Sequence, residues 1–319
     1  MNARACHTAQ VAFTTDSIPN LSGKTALVTG ANSGLGFESA RALAARGAHV
    51  ILAARNPDKA QTALDEIRAE QPLASLELVS LDLASLASVR RCAEQVMGKH
   101  RRLDILINNA GIMAPPYTRT EDGFELQFGT NHLGHFALTG LLFGLLARTP
   151  GARVVSVSSI VHVLGKMRFD DLSFSHGYSK WAAYSMSKLA NLLFAYELAE
   201  RAKAARLPLL SAAAHPGYSA THLQQRGAEL AGNKLRARLV SGLNPLGGQS
   251  PAMGALPQLY AATAPDMTPG DYVGPSRLFG TRGYPKKVRS SQRSHDAAAM
   301  RKLWEVSRKL TGVEFAGLR

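Results

Sequence analysis

Along this chain, short apolar runs of strand character take turns with longer stretches whose apolar residues recur at helical spacing. "KTALVTG" (24–30) reads as a buried strand, and "LGFESARALAARGA" (35–48) as an amphipathic helix closing at Gly47. The pair then repeats. "HVILAAR" (49–55) precedes the helix "DKAQTALDEIRAE", "LELVSLDL" (76–83) precedes "LASVRRCAEQVMGKH", and "LDILINNAG" (103–111) precedes a long helix over roughly 124–147. The strand "ARVVSVSS" (152–159) is followed, after an irregular stretch, by a helix through Tyr184 to about Ala205, and then by the strand "LPLLSAAAHPG" (207–217). Strands regularly spaced by helices mean βαβ units with right-handed crossovers. The expected architecture is α/β: a doubly wound, three-layer sandwich around a mostly parallel sheet of about seven strands.

The pattern weakens after Gly217. Residues 218–247 have Gly-rich breaks and lie where a doubly wound sheet binds its ligands, so they are expected to form a lid. The chain recovers with the helix "SPAMGALPQLYAAT", a short strand near "DYVG" and a last helix "SHDAAAMRKLWEVSRKL". No Pro-rich linker or repeat divides it. One domain over 23–319 is expected, preceded by a poorly ordered lead-in over 1–22 that docks just before the first strand.

Composition adds little to this and excludes some classes. Of the 319 residues, 45% are hydrophobic and 19% charged, a globular balance. Two cysteines, Cys6 and Cys92, make neither a disulfide framework nor zinc spacing, and no apolar run reaches the length of a membrane span, so a cytoplasmic protein is expected. The formal charge of +14 is uneven, because residues 281–319 hold ten basic residues against three acidic ones. That stretch is read either as a solvated surface or as a weak peripheral contact with acidic lipid headgroups. No nucleic-acid-binding motif accompanies it. A homo-oligomer is left open.

The candidate chemistry begins with "AAYSMSKLAN" (182–191). Tyr184 and Lys188 are one helical turn apart on one face, so the ammonium can sit near the phenol. A fixed positive charge would lower a phenol pKa of roughly 10. A half-buried tyrosine beside a solvated lysine is the plain alternative. After the first strand comes "TGANSGLG", with Gly30, Gly34 and Gly36. Glycines between a strand and a helix allow a tight turn and close approach of backbone to a pyrophosphate at the helix N-terminus.

That glycine spacing together with Tyr184 and Lys188 resembles the short-chain dehydrogenase/reductase family, and further pieces stand in the family's order over roughly 24–221. They are "LDL" (81–83), "NNAG" (108–111), "TNHLGHF" (130–136), "VSVSS" ending at Ser159, and "HPG" (215–217) before Thr221. "NNAGIM", "TNHLGHFALT" and "SKLANLLF" look most like the retinol-dehydrogenase and WW-domain-oxidoreductase branch. Unlike the shorter members, this chain has an insert, "HVLGKMRFDDLSFSHGYSKW", between Ser159 and Tyr184.

The resemblance implies a Rossmann fold and a hydride transfer between a nicotinamide cofactor and an alcohol or carbonyl. Tyr184 would be the proton donor or base, its pKa brought down by Lys188 and the nicotinamide. Ser159 would hold the substrate oxygen, and Asn131 a water beside Lys188. The cofactor would lie on Gly30, Asn32, Ser33, Gly34, Leu35, Gly36, Asp82, Leu83, Asn109, Ala110, Gly111, Tyr184, Lys188, Pro216, Gly217 and Thr221. Asp82 would bond the adenine. Ala54 stands where an NAD-selective enzyme carries an acid, and Arg55 follows it, so NADP is the expected cofactor. Apolar side chains in the insert and lid favour a lipophilic substrate, with Trp181 and Tyr178 as wall candidates.

Two alternatives remain: a dinucleotide-sensing protein without catalysis, and a reductase of an activated carbon–carbon double bond. Ser158 competes with Ser159 for the substrate side. His132, His135, His162 and His176 have no acidic or cysteine partner at metal-ligand spacing, so they are expected to be structural and no metal site is expected.

Overall fold

The structure, a computed structural model, describes residues 12–218 and 249–318. Among them one sheet has the strand order β3-β2-β1-β4-β5-β6-β7-β8. The strands are β1 Thr25–Thr29, β2 His49–Ala54, β3 Leu76–Ser80, β4 Ile105–Asn108, β5 Ala152–Val157, β6 Leu209–Ala214, β7 Tyr272–Arg277 and β8 Arg282–Lys287. All neighbours run parallel except β7 and β8. The doubly wound expectation holds, with one strand more than the seven expected. Gly283 and Pro285 interrupt β8, so its sequence has no strand period; as an antiparallel edge strand it tolerates the proline.

Helices cover both faces: α1 Gly34–Ala45, α2 Pro57–Glu70, α3 Leu86–Lys99, α4 Leu126–Phe128, α5 Gly134–Leu141, α6 Phe143–Arg148, α7 Lys180–Ala204, α8 Pro251–Thr263 and α9 Ala297–Thr311. Along β1, Ala26 and Val28 pack toward α1, α2 and α8, while Leu27 packs toward α3, α5, α7 and α9. This alternation is why a central parallel strand reads as a continuous apolar run. Local signals end several helices where expected. The Asn56 side chain accepts the Lys59 N–H at 2.8 Å to start α2, and Gly47 at φ 89° lets the chain turn from α1 into β2.

One expectation changes here. The long helix expected near 124–147 is instead α4, a π-turn at Gly129–Leu133, α5 and α6. A one-residue insertion into the helical ladder leaves the apolar pattern intact, so periodicity does not reveal it. The part of the lead-in that is described docks on the sheet, a contact also expected just before the first strand: Phe13, Ile18 and Leu21 are buried against the first core, and Phe13 meets Tyr260 edge-on at 4.9 Å. The expected lid falls outside the described residues apart from Tyr218.

The basic C-terminal stretch is largely built into the fold. Trp304 on α9 is buried among Phe136, Phe194 and Phe315. Arg308 pairs with Glu305 and Glu314, and the Lys302 ammonium lies 4.7 Å from the Phe169 ring centroid. No helix among the described residues is long and apolar enough to cross a membrane.

Candidate active site

The order β3-β2-β1-β4 reverses between β1 and β4, and the candidate residues gather at the carboxyl ends of these strands, where doubly wound sheets bind ligands. Gly30 and Gly34 sit at φ 67° and 55°, left-handed backbone that glycine adopts freely. A Cβ on Gly36 would run into the Gly30 carbonyl and the Asn109 amide, so α1 can start this close to β1 only with glycine there. Ser33 is the N-cap of α1, and its side chain makes no cap hydrogen bond, leaving the first-turn N–H groups without a side-chain cap.

Thr29 ties this turn to β4. Its hydroxyl accepts the Asn109 and Ala110 N–H groups at 2.9 and 3.0 Å and lies 2.9 Å from His135 Nε2. His135 Nδ1 in turn lies 3.0 Å from the Asn131 carbonyl. With Nδ1–H donating to that carbonyl, Nε2 accepts from Thr29, which fixes the tautomer. Burial pushes the His135 pKa down to about 4, so the ring is a neutral strut between the glycine turn and the π-turn.

Asn131 sits in that π-turn with its amide committed. Its Oδ1 accepts the Ile112 N–H at 2.8 Å, and its Nδ2 donates to the Ile112 carbonyl and the Ser187 hydroxyl, each at 3.0 Å. The side-chain amide thereby clamps the loop after β4. A Cβ on Gly111 would lie 3.2 Å from Asn131 Oδ1 and 3.4 Å from Lys188 Nζ, so glycine keeps the floor of the site open.

Lys188 is 3% exposed, and its Nζ donates to the Val157 carbonyl at 3.2 Å. The ammonium lies 5.8 Å from the Tyr184 ring centroid. Burial lowers its pKa to about 8. Tyr184, equally buried, is raised by desolvation to about 12, with a hydrogen bond to Ser159 pulling the other way. Removing the phenolate from water thus sets the Tyr184 pKa in the protein alone, whereas the expected depression is one that Lys188 and the nicotinamide would exert together.

Ser158 and Ser159 separate cleanly. The Ser158 hydroxyl donates to the Lys188 carbonyl at 2.8 Å and is buried. Ser159 turns to Tyr184 and caps the one-turn helix Ile160–Leu164, whose Val163 and Leu164 are exposed. His162 secures that turn. Its Nδ1 bonds the Ser159 carbonyl at 2.7 Å and its Nε2 accepts the Ser291 N–H at 3.0 Å.

The family of short chain dehydrogenases matches residues 24–230 of this chain. Retinol dehydrogenase 12 of Mus musculus is 40% identical over 295 residues, covering 92% of this chain and 88% of that protein. Polyprenol dehydrogenase of Danio rerio is 38% identical over 309 residues, covering 95% and 91%. A crystal structure of an uncharacterized protein from Mycobacterium paratuberculosis superposes with a TM-score of 0.78 at 43% identity, covering 96% of this chain and 99% of that one. The chain belongs to the short chain dehydrogenases.

As a short chain dehydrogenase it is a hydride-transfer oxidoreductase using a nicotinamide cofactor, and the cradle fits one. The Gly30–Gly36 turn, the open N-terminus of α1 and the bare Gly111 line one continuous edge from β1 to β4. Asn32 and Leu35 belong to the same turn, and Leu35 is braced from behind. At the far end, Arg55 follows β2 with its side chain 67% exposed, 3.8 Å from Asp82, whose carboxylate also accepts the Ala84 N–H at 3.0 Å. Leu83 is buried beneath. Pro216 and Gly217 close the other side, where the Pro216 carbonyl accepts Gln249 Nε2 at 2.7 Å. Thr221 lies outside the described residues.

Sequence reasoning missed Gln258. Buried on α8, its Nε2 reaches the Ser39 hydroxyl at 2.6 Å, Asn109 Oδ1 at 3.2 Å and the Leu35 carbonyl at 3.3 Å, locking α1 to β4 behind the glycine turn. It follows Pro257 inside a helix, which is an unusual place for a proline and the available signal.

Proposed function

We propose that this protein is an NADP-dependent oxidoreductase that interconverts a lipophilic alcohol and its carbonyl partner. The observation that carries the reading is a buried Tyr184 phenol bonded to Ser159 beside exposed apolar side chains. Trp181 is half exposed and meets the Tyr184 ring edge-on at 6.2 Å, and Val163 and Leu164 stand on the turn that Ser159 caps. Such a rim suits an apolar substrate body with one polar end.

The bound cofactor would supply the hydride. Ser159 and Tyr184 would share the substrate oxygen, Ser159 positioning it and Tyr184 giving it a proton in reduction or taking one in oxidation. A phenol held at about 12 is kept protonated as a donor. Bringing it toward neutrality takes several units, each worth about 1.4 kcal/mol, and Lys188 together with the cofactor's own charge is the source of that shift. The Val157 carbonyl holds the Lys188 ammonium, and Gly111 leaves room beside it.

NADP follows from the end of β2. Ala54 offers no carboxylate to repel a 2′-phosphate, and among the described residues the exposed Arg55 has a long pair with Asp82 to give up, worth little in water. A guanidinium pairs with phosphate through two hydrogen bonds. The names of the retinol and polyprenol dehydrogenases among its relatives support the lipophilic substrate. A panel of long-chain aldehydes, ketones and alcohols tests the reading. The kcat/KM with NADPH is expected to exceed that with NADH by at least about tenfold, or about 1.4 kcal/mol, and Ala54→Asp with Arg55→Ala to erase the preference. A wild-type preference for NADH would overturn the assignment of Arg55.

A further inference from the structure

At the opposite end of the sheet, three residues distant in sequence converge. His49 opens β2, Glu77 lies in the edge strand β3, and His100 follows α3. One nitrogen from each ring and a carboxylate oxygen all lie within 4.8 Å of one another. His100 Nε2 is 2.9 Å from Glu77 Oε2, and His49 Nε2 is 3.5 Å from the same oxygen. Two of the three already have an orienting partner: His49 Nδ1 is 2.7 Å from the Ser75 hydroxyl, and Lys99 Nζ is 2.9 Å from Glu77 Oε1. Outer contacts of this kind orient first-sphere ligands.

The feature that a plain ion-pair cluster does not explain is His49 Nε2. It is buried and has no aligned hydrogen-bond partner, yet it faces a carboxylate oxygen. In the tautomer with Nδ1–H donating to Ser75, Nε2 turns its lone pair toward the carboxylate and is free to ligate a cation between them. A metal ion would draw on both imidazoles and the carboxylate at once. Zinc–nitrogen bonds of about 2.0–2.1 Å put neighbouring ligand atoms about 3.3 Å apart in a tetrahedron. The 2.9 and 3.5 Å separations bracket that figure.

We propose that His49, Glu77 and His100 form a divalent-metal site of the zinc class at the amino edge of the sheet, joining β2, β3 and the end of α3. Two imidazoles and one carboxylate favour zinc over magnesium or calcium, which take all-oxygen sets. The site is structural. His49 and Arg55 bracket β2, so the trio is separated from the cofactor edge by about 20 Å of strand.

The test uses the full chain, stripped with chelator and titrated with ZnCl2 by calorimetry and by thermal melting. One zinc per chain is expected to bind, raising Tm by about 3 °C, with NADPH-dependent turnover unchanged. Glu77→Gln and His49→Asn are each expected to weaken binding by at least about tenfold, while His176→Gln, an exposed histidine elsewhere, leaves it unchanged. Cobalt substitution of the wild type gives a second readout that needs no variant to fold. The visible band of a four-coordinate nitrogen and oxygen site is expected, without the charge-transfer band of a cysteine ligand. Absence of saturable zinc binding, equal binding by all variants, or a cysteine-ligated cobalt spectrum would overturn the proposal.

Discussion

The two ends of the same parallel sheet treat buried charge in opposite ways. At the amino end, Asp104 is 4% exposed but receives Arg102 through two hydrogen bonds at 2.6 and 2.8 Å, Lys24 at 3.1 Å and the Thr25 N–H at 3.0 Å. These contacts hold its carboxyl below the usual range. At the carboxyl end, Lys188 is as deeply buried, yet its Nζ bonds a neutral carbonyl and no carboxylate pairs with it among the described residues. A fold gains nothing from an uncompensated buried ammonium, which costs desolvation without Coulombic return. Its presence sets apart the end of the sheet at which we propose the chemistry is done.

The comparison is broken most sharply at Lys188. Lys188→Met is expected to lower kcat by about a thousandfold, the scale of proton-transfer and electrostatic assistance in such sites. Its effect on the cofactor-free protein's stability should depend on pH. The folded-state pKa of about 8 lies below the unfolded value near 10.5, so between those values the unfolded chain binds more protons. Wild-type stability from this group is then lowest below pH 8 and rises through the window by about 1.4 kcal/mol per pH unit. The variant lacks that rise. Urea melts of both proteins from pH 7 to 10 measure the difference, and parallel curves would contradict the buried ammonium.

Asp104→Asn sharpens the other side, with a smaller effect. Arg102 and Lys24 are each more than two-fifths exposed and return to water, so the loss is that of charge-assisted hydrogen bonds, about 2 kcal/mol by urea melting. Turnover per folded molecule should not change. A loss of kcat without a loss of stability would mean that the amino end takes part in catalysis.

The legibility of the two ends differs for the same physical reason. Gly30, Gly34 and Gly36, and the Tyr184–Lys188 pair, are local in sequence, so spacing alone places them on a turn and on one helix face. The strands β1 to β6 are legible because a sheet covered on both faces makes continuous apolar runs. What depends on distant contacts is not legible. The π-turn at Asn131 changes hydrogen-bond register without changing composition. Gln258 reaches the glycine turn across more than two hundred residues of chain. Ser158 and Ser159 are adjacent in sequence, and only the packing of α7 against β5 assigns one to the helix and the other to the site. His49, Glu77 and His100 meet only once β2, β3 and α3 are assembled, so they have no motif. For Tyr184, spacing supplies the lysine one turn away but not the burial that raises the phenol in the protein alone.

The central claim is that Tyr184 exchanges the proton with the substrate while other groups hold the dinucleotide. Tyr184→Phe tests it most directly, with turnover and NADPH binding measured on one preparation, the binding by quenching of protein fluorescence. Turnover should fall by about a thousandfold or more, while the Kd for NADPH changes by less than about threefold. Near-wild-type turnover by the phenylalanine variant would contradict the account.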